Sequence, residues 1–225
     1  MLEEFLTFER ECEAEYVDRK SRFISCGRAV YNEEDTKTFL ESRRNFYKDA
    51  RHHVYAYCLT DESGKKTERF NDDREPSGTA GMPVLNLIRR QGLQNAMIVV
   101  TRYFGGVLLG SGGLTHAYGH SAQLLFKADP ASRENSLNPL GNVVKKVRSV
   151  KISLTTDYVF LGKLQYLIGQ SDVILSETNY TDTVRMDLIL RESYAQSFKK
   201  SVMELTAAKC EIITVGAMYH SYPFN

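Results

Sequence analysis

A run of buried-strand character, Ala96-Met97-Ile98-Val99-Val100, passes through Arg102-Tyr103-Phe104 into a turn carrying Gly105, Gly106, Gly110, Gly112 and Gly113. From Leu114 to Phe126 the apolar residues then keep a helical period. An Arg and two aromatics thus leave a strand end, and a glycine-dense turn then opens a helix. Glycines permit positive φ and close backbone approach. A helix N-terminus beside them offers unpaired N–H groups and partial positive charge. The segment reads as a binding surface for an anion or a macromolecule, with no catalytic group built into it.

The rest of the chain has room for two cores. At 225 residues it is long for a single one. A formal net charge of +1 gives no global basic field, so any nucleic-acid contact has to come from a local patch. Cys12, Cys26, Cys58 and Cys210 are scattered without a CxxC pair, which excludes a zinc ribbon and fits reduced thiols. Met1–Phe5 is acidic and lacks the apolar core of a signal peptide, and no apolar run approaches bilayer length. The expectation is a cytoplasmic protein without a membrane partner.

Along the first half, Arg22–Val30 reads as a strand and Asn32–Lys48 as a helix with Asn32 as its cap. His53–Thr60 reads as a strand covered on both faces, Asn71–Gly81 as a polar loop, and Pro83 opens a short helix to about Arg90. The stretch from Ala128 to Gly141 has linker composition. The second half reads as strand Val147–Leu154, helix Tyr158–Gly169, strands Val173–Tyr180 and Val184–Leu190, helix Ser193–Ala207 and strand Glu211–Met218. This βαββαβ order is the ferredoxin-like pattern. The fold class is therefore α+β, with expected domains at 1–135 and 136–225.

A longer pattern runs from Gly81 through Val84, Leu85, Ile88, Leu93, Val99 and Val100 to Arg102, Tyr103, Phe104, Gly105, Gly106, Leu109 and Gly110. With the blocks Lys20-Ser21-Arg22-Phe23, Ala50-Arg51-His52-His53 and Asp72 to Gly81, it resembles the signature of the Impact family over roughly Tyr16 to Lys127. The resemblance is to the two-domain bacterial form. It departs at Arg74, where the family commonly has glycine, and at His116, where a basic residue is common. The resemblance implies a fold like domain 2 of ribosomal protein S5 for the first half. For the second it implies a ferredoxin-like domain similar to one in a translocation elongation factor. Eukaryotic relatives carry a further N-terminal domain and dampen a stress kinase; with no counterpart before Glu15, that activity is not expected here.

Formal catalytic motifs fail. Gly112-Gly113-Leu114 is not the Gly-Lys-Ser/Thr of a P-loop, and Thr115 stands where a dinucleotide fingerprint needs glycine. His116 and His120 lie one turn apart, but Ala117 replaces the zincin glutamate. Leu109 breaks a nucleophile elbow at Ser111. No metal and no cofactor is expected. Two readings of Arg102 stay open: a phosphate or acidic-partner contact, or an ion pair with Glu75 or Asp73 beside core aromatics.

The expected role is non-catalytic binding of RNA, ribosome or a translation-associated protein. The expected contact residues are Arg102, Tyr103, Phe104, Gly105, Gly106, Gly110, Gly112 and Gly113 on the turn. The loop adds Asp73, Glu75, Ser77, Gly78 and Thr79, and the neighbouring strand His52 and His53. The alternatives are a hydrolase of small molecules or peptides using His52, Asp73 and Ser77, and a protein–protein regulator of a stress-response pathway. The sequence does not specify an oligomeric state.

Overall fold

Period-two apolar patterning builds the centre of a five-stranded sheet in the first of two structural units. The computed structural model describes residues 2–61, 63–127 and 142–222. One unit comprises Met1–Lys145 with Tyr222–Asn225, the other Lys146–Ser221. The expected linker, and with it the 135/136 boundary, lies outside the described residues.

The first unit runs β1 (Glu4–Phe8), β2 (Cys12–Asp18), β3 (Ser21–Ala29), α1 (Glu33–Phe46), β4 (His52–Thr60), β5 (Lys66–Asn71), α2 (Gly81–Arg90), β6 (Ala96–Tyr103) and α3 (Gly110–Gln123). The sheet order is β2-β3-β6-β4-β5, with every pair antiparallel. Val54, Ala56, Ile98 and Val100 pack against α2 and α3 through Leu85, Ile88, Leu114 and Tyr118. Tyr57, Met97 and Val99 point the other way, onto Phe39 of α1. Both faces of β4 are thus covered. Asn32 caps α1 as its sequence predicts, its Oδ1 accepting the Asp35 N–H at 2.8 Å. β2 and β5 were not apparent in the sequence, because charged side chains dilute their apolar alternation, and β1 is only five residues long.

The second unit takes most of β7 (Val143–Thr156), α4 (Tyr158–Gly169), β8 (Val173–Tyr180), β9 (Val184–Arg191), α5 (Glu192–Leu205) and β10 (Glu211–Tyr222). Its strands lie in the order β10-β7-β9-β8, with Ile152 opposite Leu188. Leu164, Ile168, Phe198 and Val202 from the two helices share one core with Ile152, Leu154, Met186 and Leu188, so both helices cover the same face. Among the described residues no helix is long and apolar enough to cross a membrane.

Candidate functional site

The polar loop and the glycine-rich turn meet at one end of the first unit's sheet. Cross-strand register places Arg102 opposite both His52 on β4 and Phe23 on β3, and Tyr103 opposite Arg22. Side chains alternate across a strand, so Arg102 falls on the face of Ala96, Ile98 and Val100, under α2 and α3. Tyr103 falls on the other.

Arg102 therefore points inward. Its side chain is 6% exposed and its Nη1 donates to Glu75 Oε1 at 2.6 Å; the Glu75 side chain is 5% exposed. Nη2 reaches Ser21 Oγ at 3.4 Å, Nε has no hydrogen-bond partner, and the guanidinium lies over the rings of Phe23 and Phe104. Glu75 Oε1 also accepts the Tyr118 hydroxyl at 2.8 Å and lies 4.0 Å from His52 Nε2. Burial, reinforced by the Glu75 charge, holds the Tyr118 phenol far above its ordinary range, so it stays a donor. Of the two readings open for Arg102, the ion pair with Glu75 is the observed one.

The three acids of the loop have separate tasks. Asp72 accepts from the backbone N–H groups of Gly78, Ala80 and Gly81 at 2.9, 3.0 and 2.8 Å. It caps the start of α2 from a distance, since Ala80 has no side chain to do so. Asp73 Oδ2 accepts the His53 N–H at 2.6 Å, while its carbonyl oxygen meets His52 Nδ1 at 2.8 Å. Asp73 and Arg74 adopt φ of 39° and 71°. A glycine at Arg74, as the family resemblance leads one to look for, would take that conformation without steric cost. Thr79 is buried and its hydroxyl donates to the Pro76 carbonyl at 2.6 Å; Ser77 and Gly78 are exposed.

Beyond β6 the chain surfaces. The Tyr103 hydroxyl donates to Asp49 Oδ1 at 2.7 Å, and Arg22 lies over its ring. Gly105 packs onto the β2–β3 turn, its N–H donating to Ser21 Oγ at 3.2 Å; a Cβ there would lie 2.0 Å from the Lys20 carbonyl carbon. Gly106 and Gly110 hold positive φ. Phe104, Val107 and Leu108 are 46%, 41% and 83% exposed, an apolar tip among glycines. α3 starts at Gly110 with no side-chain cap and no acid in its first turn, and Gly112 is exposed while Gly113 is half-buried. The helical start at Gly110, the capping by Asp72 and the contact of Tyr118 with Glu75 are what sequence reasoning missed.

A hydrolytic triad is not assembled from the candidates. His52 Nδ1 engages the main chain of Asp73, not its carboxylate, and Ser77 makes no hydrogen bond to His52. Burial pushes all four thiols up, Cys210 to about 11, so little nucleophilic thiolate forms near neutrality. The described residues bring together no group of three or more His, Cys, Asp or Glu suited to a metal ion.

His53 makes the site sensitive to acid. Its ring is buried, with Nδ1 3.1 Å from Thr101 Oγ1; burial lowers its pKa below the ordinary 6.5, partly opposed by the Asp73 charge. The unfolded chain then takes up this proton more readily. Stability from neutral His53 is complete above about pH 6.5 and is lost as pH falls through that value towards the lower folded-state pKa. Unfolding free energy measured between about pH 7 and pH 5 should fall, and fall less in His53→Gln.

Comparison with known proteins adds the family context. The Impact N-terminal domain matches residues 19–126, and a domain of unknown function (DUF1949) matches residues 154–209. The chain is 33% identical to the IMPACT family member YvyE of Bacillus subtilis over 212 residues, covering 94% of this chain and 91% of the relative. To the IMPACT family member YigZ of Escherichia coli it is 29% identical over 197 residues, 88% and 91% of the two chains. A crystal structure described as that of a hypothetical protein superposes with a TM-score of 0.58 at 28% identity, over 96% of this chain and 99% of the other. A structure of a two-domain translational regulator, Yih1, reaches a TM-score of only 0.34 over 51% of this chain and 45% of its own, too low to carry an argument.

Proposed function

The chain belongs to the IMPACT family, and from that premise we propose that it is a non-catalytic, translation-associated regulator. It docks on a protein of the translation machinery through the glycine-rich end of its first unit. The observation that carries this reading is the division of labour in the turn. Arg102 is neutralised by Glu75 at 2.6 Å, whereas Phe104, Val107 and Leu108 are presented to solvent. A phosphate reader would need the arginine charge; a protein partner needs the apolar tip and bare backbone. The reading includes a domain like domain 2 of ribosomal protein S5 at 1–135 and a ferredoxin-like domain at 136–225, acting in the cytoplasm. The order β10-β7-β9-β8 with two helices on one face supports the second of these.

RNA is the second reading, favoured by Arg74 in the loop, whose side chain is 73% exposed with its Nε 3.6 Å from Asp73 Oδ1. Co-sedimentation with ribosomes across a salt series, with and without nuclease, separates the two. Under the protein-docking reading, binding is weakly salt-dependent and survives nuclease treatment. Leu108→Ser weakens it about tenfold, as loss of a buried leucine contact implies. Steep salt dependence and loss with nuclease would turn the assignment to RNA. Absence of binding at low salt, or equal binding by Leu108→Ser, would overturn docking through this tip.

A further inference from the structure

Folded sheets protect their edge strands with charge, bulges or proline, because an unguarded edge pairs with another chain. Among the described residues, three of the edge strands are guarded. β2 carries Glu13, Glu15 and Asp18, and β5 carries Lys66, Glu68 and Arg69. β8 carries exposed Glu177 and a register break between Leu175 and Glu177.

The fourth is not. Among the described residues β10 pairs with β7 alone, and between Glu211 and His220 it has no charged residue and no proline. Residues 213 to 218 are all exposed, on both faces of the strand, with Ile213 at 52%, Val215 at 57% and Met218 at 40%. Ile213 and Val215 share the face away from the helices. On the helix side the Lys199 ammonium donates to Thr214 Oγ1 at 2.6 Å, and Ile212 packs on the core. A six-residue segment rich in β-branched residues and free of charge is the sequence type that pairs with copies of itself.

We propose that β10 is a self-association edge, along which two copies of this chain join antiparallel so that the strand order runs β8-β9-β7-β10 and then β10-β7-β9-β8 of the second copy. The occupant is a second copy because antiparallel self-pairing sets each residue against residues of the same strand. That arrangement is free of repulsion only where the paired stretch is uncharged, as residues 212–219 are; β8 would set Glu177 near its own copy. Gly216 lies close to the middle of the exposed run, and with it the two-fold axis. The assembly closes, since each copy offers one such edge over residues 213–218 and the dimer uses both.

Sedimentation equilibrium of the full chain, over a concentration series through the micromolar range, tests this. The wild type is expected at twice the mass of one chain at the upper end. Val215→Lys should halve that mass without lowering the thermal transition measured at dilutions where both proteins are monomeric, because the residue is exposed within one chain. Tyr180→Lys, at the exposed end of β8, should leave the dimer intact. A Cβ at Gly216 meets nothing within 4 Å, so Gly216→Cys is tolerated and should form a disulfide-linked dimer on mild oxidation. A wild type that stays monomeric, a dimer unaffected by Val215→Lys, or no cross-link from Gly216→Cys would overturn the proposal. If Val215→Lys lowers the thermal transition, the cross-link decides.

Discussion

Glu75→Ala is expected to lower the unfolding free energy of the first unit by about 3–5 kcal/mol, the cost of stranding one member of a buried ion pair. Arg102 and Glu75 are 6% and 5% exposed in their side chains, so water cannot take over the lost partner. Nor can the neighbours: Ser21 Oγ is 3.4 Å from Nη2, Nε is already unpartnered, and Phe23 and Phe104 offer only ring faces. The Tyr118 hydroxyl loses its acceptor in the same substitution. The double variant Glu75→Leu/Arg102→Met removes both charges and should cost less than Glu75→Ala alone. The chain contains no tryptophan, so urea denaturation followed by circular dichroism is the suitable measurement. Because Glu75 pins the loop from Asp72 to Ala80, faster amide exchange at Gly78, Ala80 and Gly81 should accompany the loss. A cost below about 1 kcal/mol would mean that the pair is solvated and that Arg102 is available to a ligand after all.

Gly105→Ala should be nearly as damaging, at about 3 kcal/mol or more, the upper range of overpacking. The added Cβ would lie 2.0 Å from the Lys20 carbonyl carbon, 2.2 Å from its oxygen and 2.3 Å from the Ser21 nitrogen. All three are backbone atoms, so no side chain can swing aside. The β2–β3 turn itself has little slack, with Arg19 and Lys20 at φ of 45° and 66°. Moving it would also break the hydrogen bond from Gly105 N–H to Ser21 Oγ. Gly112 is the opposite case. A Cβ there meets nothing within 4 Å, and the residue is in the first turn of α3. Gly112→Ala should stabilise the fold by about 0.5–1 kcal/mol through helix propensity. The thermal transitions of the two variants should move in opposite directions.

Where the chain's own periodicity decides structure, its sequence is readable. Asn32 with acids in the following turn predicts the cap that forms, and Ala96–Val100 predicts the central strand. Helix α4 and strand β8 have the bounds their apolar spacing predicts. Strands that owe their place to partners are another matter. β2 alternates acids with weakly apolar residues and β5 has a single apolar residue, Phe70, and only pairing with β3 and β4 fixes them. α3 begins at Gly110, not Leu114, because packing of Leu114, Ala117 and Tyr118 draws four unfavourable residues into the helix.

The site shows the same boundary. Alternation places Arg102 on the face of Ala96, Ile98 and Val100, but Met97 and Val99 make the other face equally apolar, so β6 alone did not distinguish a buried ion pair from a ligand contact. Its choice of Glu75 over Asp73 was not legible either, since that depends on a loop folded by Asp72 onto three backbone amides. Tyr118 reads as an apolar position of a helix; only the folded structure turns its hydroxyl onto Glu75. Gly105 and Gly112 are indistinguishable in the sequence, yet one is required by a backbone contact and the other is not.

That difference supplies the most direct test of the central claim, that the exposed glycine-rich end of the first unit is a docking surface. Ribosome co-sedimentation of Gly112→Ala should be measured beside its thermal unfolding and beside the wild type. A more stable protein that binds less well is the predicted result, because Gly112 then serves a partner and not the fold. A more stable protein that binds as well as wild type would contradict the claim for this turn.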